Sequence, residues 1–282
     1  MIKKARRAVR YVVEGSLRGF VHVAPARLLA LVRSDATLVR PMDYPGGRIL
    51  LQVESEFEYK VRLQSCAKEP GTVRWIETDL RGGDVLFDVG ANVGAYSLVA
   101  AICHGRSVRV FAFEPAALTY GQLVRNVALN HVEGQVTPMP VALSNHTGLE
   151  ILHYSTLTAG AALHSLGSAA EGGPPRDTGT FQQPVVTFRL DDLIREFSLP
   201  VPSHIKIDVD GAEERVLAGA AATLGHPTLR SVLVELDEHR PETDAMVRSL
   251  ADRGLLVADR HALEGAPGTQ MFNYVFRRSV FR

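Results

Sequence analysis

The sequence is poor in cysteine, in net charge and in long apolar runs. Its only cysteines are Cys66 and Cys103; they lie far apart and outside any metal-ligand spacing, so a reducing, cytoplasmic setting is expected rather than a disulfide scaffold. Lys plus Arg equals Asp plus Glu at 31 each, which argues against a nucleic-acid partner because phosphate binding requires a local excess of cations. No run of 18 apolar residues occurs, so no transmembrane helix is predicted.

What is present is the composition of an ordinary globular protein. Hydrophobic residues make up 46% and charged residues 22% of the 282 positions, enough for one α/β domain with a large core and an N-terminal appendage. The change in pattern along the chain places the appendage at residues 1–80 and the main domain at residues 81–282.

The start of the chain is strongly basic, with Glu14 as the only acid of residues 1–33. Apolar residues recur at helical spacing between the basic ones, which predicts a basic amphipathic helix. Two interpretations stay open. The helix either contacts an anionic membrane surface from the inner side, or packs on the main domain with its charges in solvent.

From residue 85 onward, short apolar runs alternate with segments of helical periodicity. This pattern predicts a Rossmann-like α/β fold, with a mostly parallel sheet covered by helices on both faces. The predicted strands are Val85–Asp88, Val108–Phe113, Ile205–Asp208 and Ser231–Leu236, with a closing hairpin near Leu255–Ala258 and Met271–Phe276. The predicted helices are Gly94–Cys103, Ala116–Asn130, Glu213–Leu217 and Glu242–Arg253.

Residues 157–184 break this alternation, being rich in Gly, Ala, Ser and Thr. Long segments without secondary structure inside a compact domain are mostly active-site lids or disordered insertions. We expect a lid.

The strongest local signal is a glycine-containing turn after the first predicted strand, Asp88-Val-Gly-Ala-Asn-Val-Gly. Gly90 allows close approach of a ligand to the backbone, and the helix that opens near Gly94 presents unpaired N–H groups. The spacing departs from the dinucleotide fingerprint G-x-G-x-x-G, since Asn92 and Ala95 replace the second and third glycines. An acid before the first glycine suits a ligand with an amino group, such as S-adenosylmethionine.

Glu114 ends the next apolar run and precedes a proline. An acid at the tip of the second strand is placed to accept hydrogen bonds from both hydroxyls of a ribose. Helix capping would explain Asp88 or Glu114 alone, but not their combined placement. Together they predict a cofactor site.

Four segments resemble the FkbM family of methyltransferases. They are Asp88-Val-Gly-Ala-Asn-Val-Gly-Ala-Tyr-Ser, Phe113-Glu-Pro, Val141-Ala-Leu-Ser and Ile205-Lys-Ile-Asp-Val-Asp-Gly-Ala-Glu. The resemblance implies a class I fold with a seven-stranded sheet, and transfer of a methyl group from S-adenosylmethionine, usually to a hydroxyl oxygen. It further implies that Asp88, Gly90, Asn92, Gly94 and Ser97 line the methionine part of the cofactor, that Glu114 binds the ribose and that Ala142 lies near the adenine.

Several acids lie at the carboxyl ends of the later strands, where ligands of open α/β sheets bind. Asp208 and Asp210 follow one strand, Asp210 standing where the family more commonly has glutamate, and Glu235 ends the next. One of them, Asp208 or Asp210 first, is expected to act as a general base. Alternatively, Asp208 and Glu235 hold a Mg²⁺ ion that lowers the pKa of the acceptor. Glu213, Asp237, His164 and His239 are further candidates, with Glu213 equally explained as a first-turn helix acid.

The sequence therefore predicts a methyltransferase that acts on a hydroxyl of a sugar, glycolipid or secondary metabolite, with nitrogen or protein acceptors still open. Two other classes remain as alternatives: a non-catalytic protein that keeps the methyltransferase shell, and a nucleotide-dependent oxidoreductase. The first would favour an eroded cofactor loop and the second a complete G-x-G-x-x-G, and neither is found. The oligomeric state and the identity of the acceptor are not encoded in any recognisable pattern.

Overall fold

A computed structural model of the protein describes residues 15–16, 19, 24–35, 37–161, 164–167, 181–263 and 270–279. The chain forms two compact units, Met1–Val39 and Arg40–Arg282. The first contains helix α1, Ala26–Asp35; most of the basic segment predicted as an amphipathic helix lies outside the described residues. No helix in the described part of the chain is long and apolar enough to cross a membrane.

The second unit begins at Arg40, whereas the sequence pattern places the main domain after residue 80. The difference arises from packing, because Ile49, Trp75 and Ile76 belong to the same buried cluster as Leu98. The Trp75 indole also donates a hydrogen bond of 2.9 Å to the Ser231 hydroxyl. Residues 40–80 thus supply part of the core of the main domain.

The core of this unit is a seven-stranded sheet with the order β12-β13-β11-β10-β3-β4-β5. Five strands are parallel, while β13 runs antiparallel to both β11 and β12. This is the predicted mostly parallel sheet with its closing hairpin. The strands are β3 (Val85–Val89), β4 (Arg109–Phe113), β5 (Val136–Met139), β10 (His204–Ile207), β11 (Ser231–Asp237), β12 (Leu255–Ala262) and β13 (Met271–Arg278).

Helices cover both faces of this sheet, which explains why every residue of β3 and β10 is buried, including the polar Asp88, His204 and Lys206. One face packs against a cluster that includes Trp75, Leu98 and Leu123, and the other against one that includes Leu193 and Leu250. The first cluster draws on helices α4 (Pro70–Asp79), α5 (Ala95–His104) and α6 (Ala117–Leu129), and the second on α7 (Leu190–Glu196), α8 (Glu213–Gly219), α9 (Ala221–Gly225) and α10 (Thr243–Ala251).

A second, four-stranded sheet has the order β6-β9-β7-β8 and was not anticipated. Its strand β8 and the first residues of β9 fall in the segment predicted as a lid or insert, residues 157–184, of which residues 162–163 and 168–180 lie outside the described part. Along β9 the burial alternates in its second half, with Val185 and Thr187 inward and Val186 outward, as in a strand with one covered face. The strands are β6 (Ala142–Leu143), β7 (Gly148–His153), β8 (Ser165–Leu166) and β9 (Gln182–Phe188).

The remaining elements precede the main sheet and lead into α4. They are a two-stranded sheet of β1 (Val39–Pro41) and β2 (Leu50–Gln52), helices α2 (Glu56–Val61) and α3 (Ser65–Lys68), and the 3₁₀ turn Arg62–Gln64 between those helices.

Candidate active site

A cavity opens at the carboxyl ends of β3, β4, β10 and β11, where an open α/β sheet binds its ligands. Most of the predicted site residues lie in its wall, and residues from β7 and β8 close one side. The predicted residues in the wall are Gly90, Asn92, Glu114, Ala142, Asp208, Asp210 and Glu235. Asp88, Gly94 and Ser97 are not part of it.

Gly90 is required by the neighbouring strand as well as by any ligand. Its φ is +78°, and a Cβ at this position would collide with the backbone carbonyl of Asp208. The reason is the parallel pairing of β3 with β10, in which Val89 lies opposite Ile207. The sequence predicts that a ligand approaches the backbone closely at Gly90, but in the structure it is the Asp208 carbonyl that does so.

Asp88 lies beneath the cavity, fully buried. It accepts a hydrogen bond of 2.6 Å from the Ser97 hydroxyl, and its other oxygen lies 3.5 Å from the Lys206 ammonium. Gly94, at φ +89°, precedes α5 with Leu123 packed against it. These residues support the Asp88–Gly94 loop from below.

Asn92 and Glu114 join that loop to the end of β4. The Asn92 N–H donates to one Glu114 oxygen at 3.0 Å, and the Ala116 N–H donates to the other at 2.8 Å. Each carboxylate oxygen keeps a second lone pair for a ligand hydroxyl. Burial raises the pKa of Glu114 to about 7, against the opposing effect of these two N–H groups.

Asp208 is held in its charged form by a neighbouring cation. Burial opposes its ionisation, but the Lys206 ammonium, 3.1 Å away, holds the pKa of Asp208 below its usual value. Burial and the negative charges of Asp208 and Glu69 instead raise the pKa of Glu235 to about 9. Neighbouring carboxyl groups thus differ in protonation near neutral pH.

Glu69, Asp208 and Glu235 bring carboxylate oxygens within 4.8 Å of one another. Glu69 is buried and accepts a hydrogen bond of 3.1 Å from Thr72. Three carboxylate oxygens at this spacing can supply part of the ligand set of a divalent cation. Nothing in the sequence near Glu69 marked it as part of the site.

Of the four further candidates from the sequence, one lines the cavity and three do not. Glu213 accepts hydrogen bonds from the N–H groups of Gly211 and Val209, a local role at the start of α8. Asp237 accepts from the N–H of His239 at 3.0 Å, and neither residue lines the cavity. His164 does, with its ring 4.7 Å from that of Tyr154.

Arg62 and Lys68 were missed by the sequence analysis, yet both lie in the cavity wall. They come from the segment assigned to the appendage, in a region without a recognisable motif. Only the packing of α3 and α4 on the main sheet brings them to the strand ends. The buried apolar residues Ile49, Leu51, Trp75 and Ile76 are the local signal that this segment is part of the core.

Comparison with known proteins agrees with this geometry. The model of the methyltransferase FkbM domain matches residues 88–256. The chain is 29% identical to the 31-O-demethyl-FK506 methyltransferase FkbM of Streptomyces tacrolimicus, covering 86% of this chain and 98% of that protein. It is also 29% identical to the hexuronic acid methyltransferase AglP of Haloferax volcanii, covering 62% of this chain and 65% of that protein. Among solved structures, the METTL16 methyltransferase domain shares the fold, with a TM-score of 0.50 and 11% identity over 82% of this chain and 74% of that one.

Proposed function

Because the chain belongs to the FkbM methyltransferase family, we propose that it transfers the methyl group of S-adenosylmethionine to a hydroxyl oxygen of a small molecule or glycan. The observation that carries the proposal is one cavity that unites Glu114 and Ala142 with the ionised Asp208. The same wall offers both hydrogen-bond acceptors for a ribose and a base.

The residues present fit the cofactor. Glu114 has acceptor capacity left for the two ribose hydroxyls, and the apolar side chains of Val141, Ala142 and Leu152 offer a surface for the adenine. The Asp88–Ser97 hydrogen bond keeps the intervening loop in place. When bound, the cofactor supplies an electrophilic methyl carbon and a neutral thioether leaving group.

Asp208 is the proposed general base. Its carboxylate would orient the acceptor hydroxyl and take up the hydroxyl proton, while the bound cofactor would supply the methyl group. Lys206 keeps that carboxylate charged in the unreacted site. Glu235, protonated near neutral pH, is suited to donate a hydrogen bond to the acceptor, and Asp210 is the second carboxylate within the same wall.

A hydroxyl acceptor is supported by the relatives. The Streptomyces tacrolimicus protein is named for O-methylation of a natural product, and the Haloferax volcanii protein for methylation of a hexuronic acid. A nitrogen acceptor would need no base of the Asp208 kind once its amine is neutral. The pairing of Asp208 with Lys206 therefore favours the hydroxyl.

A divalent cation is the second candidate for activating the acceptor, favoured by the spacing of Glu69, Asp208 and Glu235. The cation would lower the pKa of the hydroxyl directly. Turnover measured with EDTA and then with added Mg²⁺ separates the two schemes. Unchanged turnover in EDTA supports Asp208 acting with Lys206, and loss restored by Mg²⁺ supports the cation.

The first experiment is calorimetric titration with S-adenosylhomocysteine, using NAD as the control ligand. Binding of S-adenosylhomocysteine alone is the expected result and justifies a search among hydroxyl acceptors with radiolabelled methyl donor. Binding of NAD alone would support the oxidoreductase alternative. Binding of neither would favour a non-catalytic shell and reject the proposal.

A further inference from the structure

Arg62 presents a fixed guanidinium group to the cavity. Its Nε–H donates a hydrogen bond of 2.8 Å to the Gly160 carbonyl, and the group lies 5.5 Å from the centre of the Phe57 ring. Within the described part of the chain, its terminal Nη1 and Nη2 atoms make no hydrogen bond. The orientation is therefore set by one edge of the guanidinium, while the other edge stays available to a ligand.

The charges around Arg62 point to an anionic ligand. Its neighbours Lys68 and Lys206 are already paired, Lys68 with Glu69 at 3.2 Å and Lys206 with Asp208. Among the described residues, Arg62 makes no ion pair of 4.0 Å or less. Its charge is thus the one in this wall that no carboxylate among the described residues neutralises within 4.0 Å.

The proposed cofactor carries two positive groups, an ammonium and a sulfonium, and one carboxylate. The acids of the wall, Glu114, Asp208 and Asp210, suit the positive groups but repel the carboxylate. A guanidinium binds a carboxylate through two parallel N–H groups with defined geometry. Resting on the proposed function, we propose that Arg62 binds the carboxylate of the methionine part of S-adenosylmethionine.

A carboxylate on the acceptor is the other group that the Arg62 guanidinium could bind in the same way. The connections of Arg62 favour the cofactor, because Gly160 is followed by Ala161, whose carbonyl accepts a hydrogen bond of 2.9 Å from the Asn92 side chain. Arg62 is thus connected to Asn92 of the Asp88–Gly94 loop by its hydrogen bond to Gly160, by the peptide bond to Ala161 and by the hydrogen bond between Ala161 and Asn92.

The test compares two ligands that differ only in this carboxylate: S-adenosylhomocysteine and its decarboxylated analogue, S-adenosyl-3-thiopropylamine. Calorimetry on the full chain should show that Arg62→Gln weakens S-adenosylhomocysteine binding by about 10- to 100-fold, the usual strength of a charged hydrogen-bonded pair, and changes binding of the analogue by less than about 2-fold. Arg62→Lys keeps the positive charge but lacks the two parallel N–H groups. It should therefore give an intermediate loss of affinity for S-adenosylhomocysteine and none for the analogue. Arg195→Gln is the matched control, an exposed arginine 3.0 Å from Asp192.

Equal losses for both ligands would overturn the inference and assign Arg62 a structural role at Gly160. Unchanged S-adenosylhomocysteine affinity, with a raised KM for a carboxylate-bearing acceptor, would also overturn it and place the anion on the acceptor. These outcomes differ from failure of the proposed function, in which the unsubstituted protein binds neither adenosyl ligand. A thermal melt of each variant verifies folding, and Arg62→Lys carries the test if Arg62→Gln does not fold.

Discussion

Asp208 combines partial exposure to the cavity with a buried cation behind it. Lys206, two residues earlier on β10, is almost fully buried, and its ammonium lies between the carboxylates of Asp88 and Asp208. Removing a buried charge from its partners is costly, so this lysine stays paired with both acids, and it lowers the pKa of Asp208. The Asp88 carboxylate faces the loop, and the Asp208 carboxylate faces the cavity, where the proposed methyl transfer requires a base.

Asp208→Asn should lower turnover by about 10²- to 10⁴-fold, the usual contribution of a general base. S-adenosylhomocysteine affinity should change much less than turnover, because this ligand lacks the sulfonium charge and its binding does not require the proton acceptor. Steady-state kinetics and calorimetry measure the two effects. Asp252→Asn, at an exposed helix end, is the control, and full turnover of the Asp208 variant would remove this residue as the base.

Gly90→Ala should lower the free energy of unfolding by about 1–3 kcal/mol or more, because a Cβ at φ +78° meets the Asp208 carbonyl. Gly121→Ala is the matched control. Gly121 lies inside α6 with open space around its Cβ position, so this change should stabilise by about 0.5–1 kcal/mol. Urea denaturation compares the two. If Gly90→Ala lost cofactor binding at unchanged stability, the glycine would serve the ligand alone.

Glu114 should make cofactor binding depend on pH. With a pKa of about 7, its carboxyl takes up a proton as the pH falls through neutrality and loses acceptor capacity for the ribose hydroxyls. S-adenosylhomocysteine affinity should therefore fall below pH 7 and level off above it. Calorimetry across this interval tests the expectation. Persistence of the same pH profile in Glu114→Gln would assign it to another group, such as His164 in the same wall.

At the scale of elements, the four-stranded sheet completes the cavity that the main sheet leaves open on one side. Leu152 on β7 pairs with Leu166 on β8, and both side chains line the cavity. Leu149, on the same strand, points to solvent and is 72% exposed. This sheet thus turns an open edge into a wall with one apolar face toward the ligand.

Leu152→Ala should lower stability by about 2–4 kcal/mol, as for other buried leucines, and should also weaken S-adenosylhomocysteine binding. Leu149→Ala should change stability by less than about 0.5 kcal/mol, since the side chain is exposed. Denaturation and calorimetry on this matched pair test whether β7 is part of the binding wall. Equal cofactor affinity of the two variants would restrict β7 to a structural role.

At the scale of the whole molecule, a buried polar chain joins helix α4 to β11, to β10 and to Asp84, the residue before β3. The Trp75 indole can only donate, so the Ser231 hydroxyl accepts from it and donates to His204 Nδ1, 2.7 Å away. His204 Nε2–H then donates to Asp84 at 3.1 Å, and Asp84 also pairs with Arg230. Burial lowers the pKa of His204 to about 4, which keeps the imidazole neutral near pH 7.

This histidine should destabilise the fold in acid. The unfolded imidazole takes up a proton near pH 6.5 and the folded one only near pH 4, so its contribution is complete above about 6.5 and falls as the pH approaches 4, by up to about 3 kcal/mol. Glu114 and Glu235, with raised pKa values, act in the opposite direction. The measurement is therefore the difference in unfolding free energy between the unsubstituted protein and His204→Gln at pH 7.5 and 4.5. An equal difference at both pH values would show that His204 titrates normally.

The sequence by itself determined the alternation of strands and helices, the cofactor loop at Asp88–Gly94 and the acids that end β4, β10 and β11. These features are local, because periodicity and turn chemistry are set by neighbouring residues. Tertiary structure decided which of these residues reach the cavity, why Gly90 must be glycine, and that Arg62, Lys68 and Glu69 belong to the site. The reason is that strand register and helix packing juxtapose residues far apart in the chain, and no pattern within a single segment records that pairing.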